Sequence, residues 1–238
     1  ATSVVVSGPS SLNSISATSA NFTGPIVATS LTVNGDVIST GTGTFNNGDK
    51  YRYGGPAPTL GTFTQPWVAN TSFAAGAYAQ ALASQALAVG SYAYATAINA
   101  MAIGTNSTAN QSDAFAAGVQ ASASGLNSMA LGGNAVANTT NALAYGTSAL
   151  ATGVAAMATG TAAKALADQS IAAGANATAS SVGALAFGPN ALASGTQSIA
   201  MGANASGTGA NSIAIGISSV ANASRAFAAG ACSQALND

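Results

Sequence analysis

The sequence predicts an all-β fold, a parallel solenoid wound in coils of fourteen residues, and three regularities predict it. Glycine returns at every fourteenth position: Gly76, Gly90, Gly104, Gly118, Gly132, Gly146, Gly160, Gly174, Gly188, Gly202, Gly216 and Gly230. Alanine stands two residues before each of them, and a large apolar residue stands three before: Phe73, Leu87, Met101, Phe115, Met129, Leu143, Met157, Ile171, Leu185, Ile199, Ile213 and Phe227. Ala or Ser follows three residues after each glycine, and Ala five after, with Gly207 the exception. A frame held over twelve periods marks a repeat array.

Fourteen residues are too few for two helices and a turn, and the apolar positions alternate as they do along a strand. In Ser198-Ile199-Ala200-Met201-Gly202 the small residues share one face, and Ile199 and Met201 share the other. A second short segment, such as Ala205-Ser206-Gly207 or Ala191-Leu192-Ala193, again places small residues alternately. Each repeat therefore reads as two short strands and two turns. Twelve coils one strand spacing apart make a rod of roughly 55–60 Å.

If the small face points inward, the interior is so thin that only Ala, Ser and Gly fit. The larger residues then point outward from the first strand as a ladder, often extended by the residue just before glycine, such as Val89, Ile103, Leu131 and Ile215. An exposed apolar stripe of this length drives association, and a symmetric oligomer in which each rod covers its neighbour's stripe is the expected outcome. Asn106, Gln120, Asn134, Asn176, Asn190 and Asn204 are expected on the outer side of the second strand, as a solvated face.

The segments Asn127-Ser128-Met129-Ala130-Leu131-Gly132, Gln197-Ser198-Ile199-Ala200-Met201-Gly202 and Asn211-Ser212-Ile213-Ala214-Ile215-Gly216 resemble the S-x-A-x-G repeats of the YadA-type head of trimeric autotransporter adhesins. The resemblance covers residues 72–238. It implies a left-handed β-roll, a homotrimer, and an adhesive or fibre-forming role, with the Phe73-to-Phe227 ladder at the trimer interface.

Composition narrows the function. Only 4% of the 238 residues are charged, there is no His or Glu, and the net charge is −1. A nucleic-acid binder needs a basic face that this chain lacks. No apolar run approaches the ~18–20 residues of a membrane span, so no membrane insertion is expected. The opening Ala1-Thr2-Ser3 has neither the charged nor the apolar region of a signal peptide. The single Cys232 forms no intrachain disulfide and occupies an incidental surface position. With five Asp as the whole carboxylate set, acid–base pairs are hard to build. Asp113 and Asp168 fall four repeats apart, about 19 Å along a regular rod. Phosphate loops, zinc spacings and calcium-binding repeats are missing. The position after glycine carries no threonine ladder, which an ice-binding face would need. A non-enzymatic protein without cofactor or metal is the expectation.

Upstream of the array, residues 1–45 read as a small β stem or docking region. Val4-Val5-Val6 is followed by Gly8-Pro9 and Ser-rich sequence to Ala20, then by a turn over Asn21-Phe22-Thr23-Gly24-Pro25. Ile26 to Val33 reads as strand, Asn34-Gly35 as a tight turn, and Asp36 to Thr40 as the next strand. These short Thr/Val strands are similar in composition to the stems of bacteriophage fibres. Residues 46–71 form an aromatic junction that caps the first coil. Its Tyr51, Tyr53 and Trp67 are also a candidate carbohydrate patch, because aromatic rings stack on sugar faces.

With stem first and roll last, the order departs from the adhesin pattern, in which the head lies upstream of a neck, a stalk and a C-terminal anchor. That order favours a virion structural protein, a trimeric fibre or capsid-decorating spike. Residues 1–45 would dock on capsid or tail proteins, and the roll would project from the virion surface to meet a host glycan or protein. The alternative is the head of a bacterial trimeric surface adhesin that binds matrix or cells.

Overall fold

The computed structural model describes residues 72–236 in full and, upstream, the backbone of six short strands between Ser3 and Val33. The chain divides into two compact units, Ala1–Asn46 and Asn47–Asp238.

The repeat array is a parallel β-solenoid. Each coil consists of a three-residue strand, a turn, a two-residue strand and a second turn. The first strands, from Phe73–Ala75 to Phe227–Ala229, pair in one twelve-stranded sheet. The second strands, from Gln80–Ala81 to Gln234–Ala235, pair in another. Pairing follows the repeat, so that Ala102 lies opposite Ala88 and Ala116, and Met101 opposite Leu87 and Phe115. Backbone hydrogen bonds run between successive coils along both ladders, and the turns join in. Gly104 N–H donates to the Val89 carbonyl at 2.7 Å, and Asn106 N–H donates to the Ser91 carbonyl at 2.9 Å.

Four small residues of each coil form the core. In the coil centred on Gly202 they are Ser198, Ala200, Ala205 and Gly207, all buried. Among the described residues the fully buried side chains are alanines and six serines, with nothing larger. Alternation along both strands puts small groups inward from each side, and the two sheets approach until methyl meets methyl. The inward assignment of alanine holds.

The turns explain the glycine frame. The first turn is closed by the N–H three residues after glycine, as where Ala135 donates to the Gly132 carbonyl at 3.2 Å. Gly132 itself has φ +127, and a Cβ there would lie 2.6 Å from the carbonyl carbon and oxygen of Gly146 in the next coil. Both the conformation and the stacking demand glycine.

The third residue of every turn is left-handed, and it recurs each seven residues: Tyr78, Gln85, Tyr92, Asn99, Asn106, Asp113 and onward to Cys232. This corrects one expectation. Asn106, Gln120, Asn134, Asn176, Asn190 and Asn204 are not the outer face of the second strand. They occupy the left-handed turn position, with φ between 55 and 59, where asparagine is favoured because its short side chain tolerates that region. The outward residue of the second strand is two positions later: Gln80, Tyr94, Thr108, Ser122, Val136, Leu150, Lys164.

The N-terminal strands follow a different period. Ser3–Val6 pairs with Ser19–Phe22, Ser10–Leu12 with Ile26–Ala28, and Ile15–Ala17 with Leu31–Val33. All three pairs are parallel and offset by sixteen residues, as in Ser3↔Ser19, Ser10↔Ile26 and Ile15↔Leu31. They trace two successive coils of three strands each. The sequence carries the same period, in Ala1-Thr2-Ser3 and Ala17-Thr18-Ser19, Gly8-Pro9 and Gly24-Pro25, Ser14-Ile15 and Ser30-Leu31. Two readings change. The stretch Ile26 to Val33 is two strands in different sheets, not one, and Asn21 and Phe22 end a strand where a turn was expected. The Asn34-Gly35 turn, the strand at 36–40 and the junction at 46–71, with Tyr51, Tyr53 and Trp67, lie outside the described residues.

Candidate functional site: the outer faces of the roll

With the interior filled by alanine, whatever the roll recognises must meet its outer side. The first sheet turns its large residues outward. Phe73, Leu87, Met101, Phe115, Met129, Leu143, Met157, Ile171, Leu185, Ile199, Ile213 and Phe227 stand in register on one face, each beside its counterparts in the adjoining coils. Beside them runs a second row: Val89, Ile103, Leu131, Tyr145, Phe187, Met201 and Ile215. Stacking shelters the two rows only in part. Met129, Met157, Met201 and Ile215 are exposed, and Phe227 and Tyr145 keep 63% and 60% of their surface in water.

The turn edges are polar and carry ladders of their own. Asn99 donates to Asp113 Oδ1 at 2.9 Å, Asn190 to Asn204 Oδ1 at 3.3 Å, and Thr208 to Asn222 Oδ1 at 2.8 Å, each pair one coil apart. Asp168 Oδ1 accepts the Val154 N–H at 2.8 Å. Asp113 and Asp168 thus each serve as a hydrogen-bond acceptor between neighbouring coils, in separate parts of the array. Among the described residues no group of three His, Cys, Asp or Glu comes together to hold a metal. Cys232 is exposed and sits at a left-handed turn position, φ 56.

One departure from the polar edge stands at the start of the roll. Tyr78 and Tyr92 occupy the left-handed position of successive first turns, and their rings stack with centroids 4.8 Å apart and planes 17° from parallel. The pair is 68% and 43% exposed. Tyr94 points outward from the second strand of the same coil as Tyr92. Sequence reasoning passed over these tyrosines, although a signal was there: two aromatic residues in succession at a position where five later coils carry asparagine.

A parallel β-solenoid with an alanine interior and an outward apolar ladder defines a repeat protein whose business is at its surface. Models of the YadA head domain repeat match residues 95–121, 123–149, 151–177, 179–205 and 208–231, together more than half of the chain. The chain belongs to the YadA head domain repeat family. No curated protein matches it.

Membership bears on the two readings of function. It supports an adhesin-type surface domain and lends nothing to a virion fibre, a head decoration, or capsid and tail partners. The virion reading leaned on the order of stem and roll, to which the match with the repeat family adds no support.

Proposed function

We propose that this chain is the head of a bacterial surface adhesin, a homotrimer that binds matrix or cells through the outer surface of three parallel rolls. The observation that carries the trimer is the apolar ladder on the outside of the first sheet. Water cannot be its intended neighbour: a large apolar side chain gains ~1.5–3 kcal/mol on full burial, and each half-covered member of the ladder forgoes a share of that. Three copies related by a threefold axis would turn these faces inward together and leave the second sheets and the turn edges outside for recognition. In this arrangement residues 1–45 serve as a stem and 46–71 as a junction. The role is adhesive and structural, in keeping with a family of head repeats.

Sedimentation equilibrium tests the assembly. The expected mass is three times the 22.5 kDa of the chain. Ile213→Asp, which sets a charge in the middle of the ladder, should shift that mass toward the monomer. A single folded chain in the unmodified protein would remove the basis of the proposal.

A further inference from the structure

We propose that the Tyr78–Tyr92 stack, with Tyr94 beside it, is a binding site for a neutral saccharide at the N-terminal end of the roll. This rests on the adhesive reading above and gives it a ligand class and a place. Three observations converge.

The first is conformational. Tyr78 and Tyr92 have φ 59 and 56, a region that bulky residues avoid. Asn106, Asn134, Asn176, Asn190 and Asn204 fill the same turn position farther along. Tyrosine is thus the poorer choice for the turn, twice in succession.

The second is that these rings contribute little to the core. They stand at the turn edge, both exposed, with one ring laid against the other. What the stack does provide is order. Two rings held nearly parallel at 4.8 Å have lost their rotamer freedom before any ligand arrives, so binding need not supply that entropy.

The third is charge. No Asp, Glu, Lys or Arg occurs from Ser72 to Ser112, so among the described residues the two coils that carry the stack hold no charged side chain to pair with a phosphate, sulfate or carboxylate. The surroundings offer instead three phenolic hydroxyls, the exposed Gln80 amide and the exposed Asn106 amide. Aromatic bodies with polar tips, set among neutral donors and acceptors, suit a ligand with an apolar ring face and a rim of hydroxyls. A neutral hexopyranose has that shape.

The test uses the full chain and a panel of neutral methyl hexopyranosides, with methyl glucuronide as the charged control, read by saturation-transfer NMR and titration. Tyr78→Asn/Tyr92→Asn is the matched variant, because it installs the residue that later coils already carry at this turn and therefore keeps the fold. At least one neutral hexoside should bind, the variant should bind about tenfold more weakly or worse, and the glucuronide should not compete. Binding unchanged in the folded variant overturns the site. So does the absence of binding by any neutral hexoside. Attachment of the unmodified protein to cultured cells, measured in parallel, separates the two claims: attachment by the parent together with unchanged hexoside binding in the variant leaves the adhesive reading standing and the tyrosine site refuted.

Discussion

Two adjacent glycines offer a sharp test of how the coils stack. Gly132 and Gly133 are neighbours in one turn, yet the same substitution to alanine should move stability in opposite directions. At Gly132 the backbone has φ +127, and the new Cβ would sit 2.6 Å from the Gly146 carbonyl of the next coil. The conformational strain of an L-residue there is about 1–3 kcal/mol. Relieving the contact requires one coil to move from its neighbour, a further ~1–3 kcal/mol on the scale of overpacked interiors. The expected loss is roughly 2–6 kcal/mol. At Gly133 the nearest heavy atom to a new Cβ is the Val119 carbonyl oxygen at 3.8 Å, an ordinary contact, and the backbone is not left-handed. There the loss of freedom in the unfolded chain should stabilise by ~0.4–1 kcal/mol. Guanidinium denaturation of both variants at one protein concentration reads the difference as midpoints on either side of the unmodified protein. If Gly132→Ala unfolds with or after the parent, glycine is not required by stacking. If Gly133→Ala falls as far as Gly132→Ala, the contact geometry is not what sets the cost.

The interior makes two further predictions. Ala200→Leu should destabilise by ~1–3 kcal/mol or prevent folding, because the residue is fully buried among methyl groups with no room to yield; a soluble variant with an unchanged melting temperature would contradict the thin core. Ser198 and Ser212 keep buried hydroxyl oxygens without a hydrogen-bond partner, whereas the Ser170 hydroxyl donates to the Ala167 carbonyl at 2.6 Å. Ser198→Ala and Ser212→Ala should therefore each raise stability by about 1 kcal/mol, and Ser170→Ala should not. Equal effects at all three positions in thermal unfolding would count against that distinction. On the outer face, Ile213→Asp should lower the sedimentation mass and Lys164→Asp should not, since Lys164 points outward from the other sheet. A lowered mass in both would show that the first sheet is not the specific interface.

What the sequence determined by itself was everything that a period and an alternation can carry. Twelve glycines in register set the coil length, and Ala-x-Ala spacing set which side faces in, because side chains in a strand must alternate. A core restricted to alanine and serine, and a ladder from Phe73 to Phe227 left outside, follow from those two facts. Alternation ends where a strand ends, so the turns had to wait for the structure. Asn106 and Asn134 look like strand-facing polar residues until the backbone is seen to enter the left-handed region beneath them. The sixteen-residue period of the N-terminal strands is faint in sequence, since Gly8-Pro9 and Gly24-Pro25 mark it over only two copies, and only strand pairing makes it plain. The tyrosine stack was the tertiary structure's to decide as well. Tyr78 and Tyr92 are fourteen residues apart in the chain, and their rings meet because each coil sets its first turn directly over that of its neighbour.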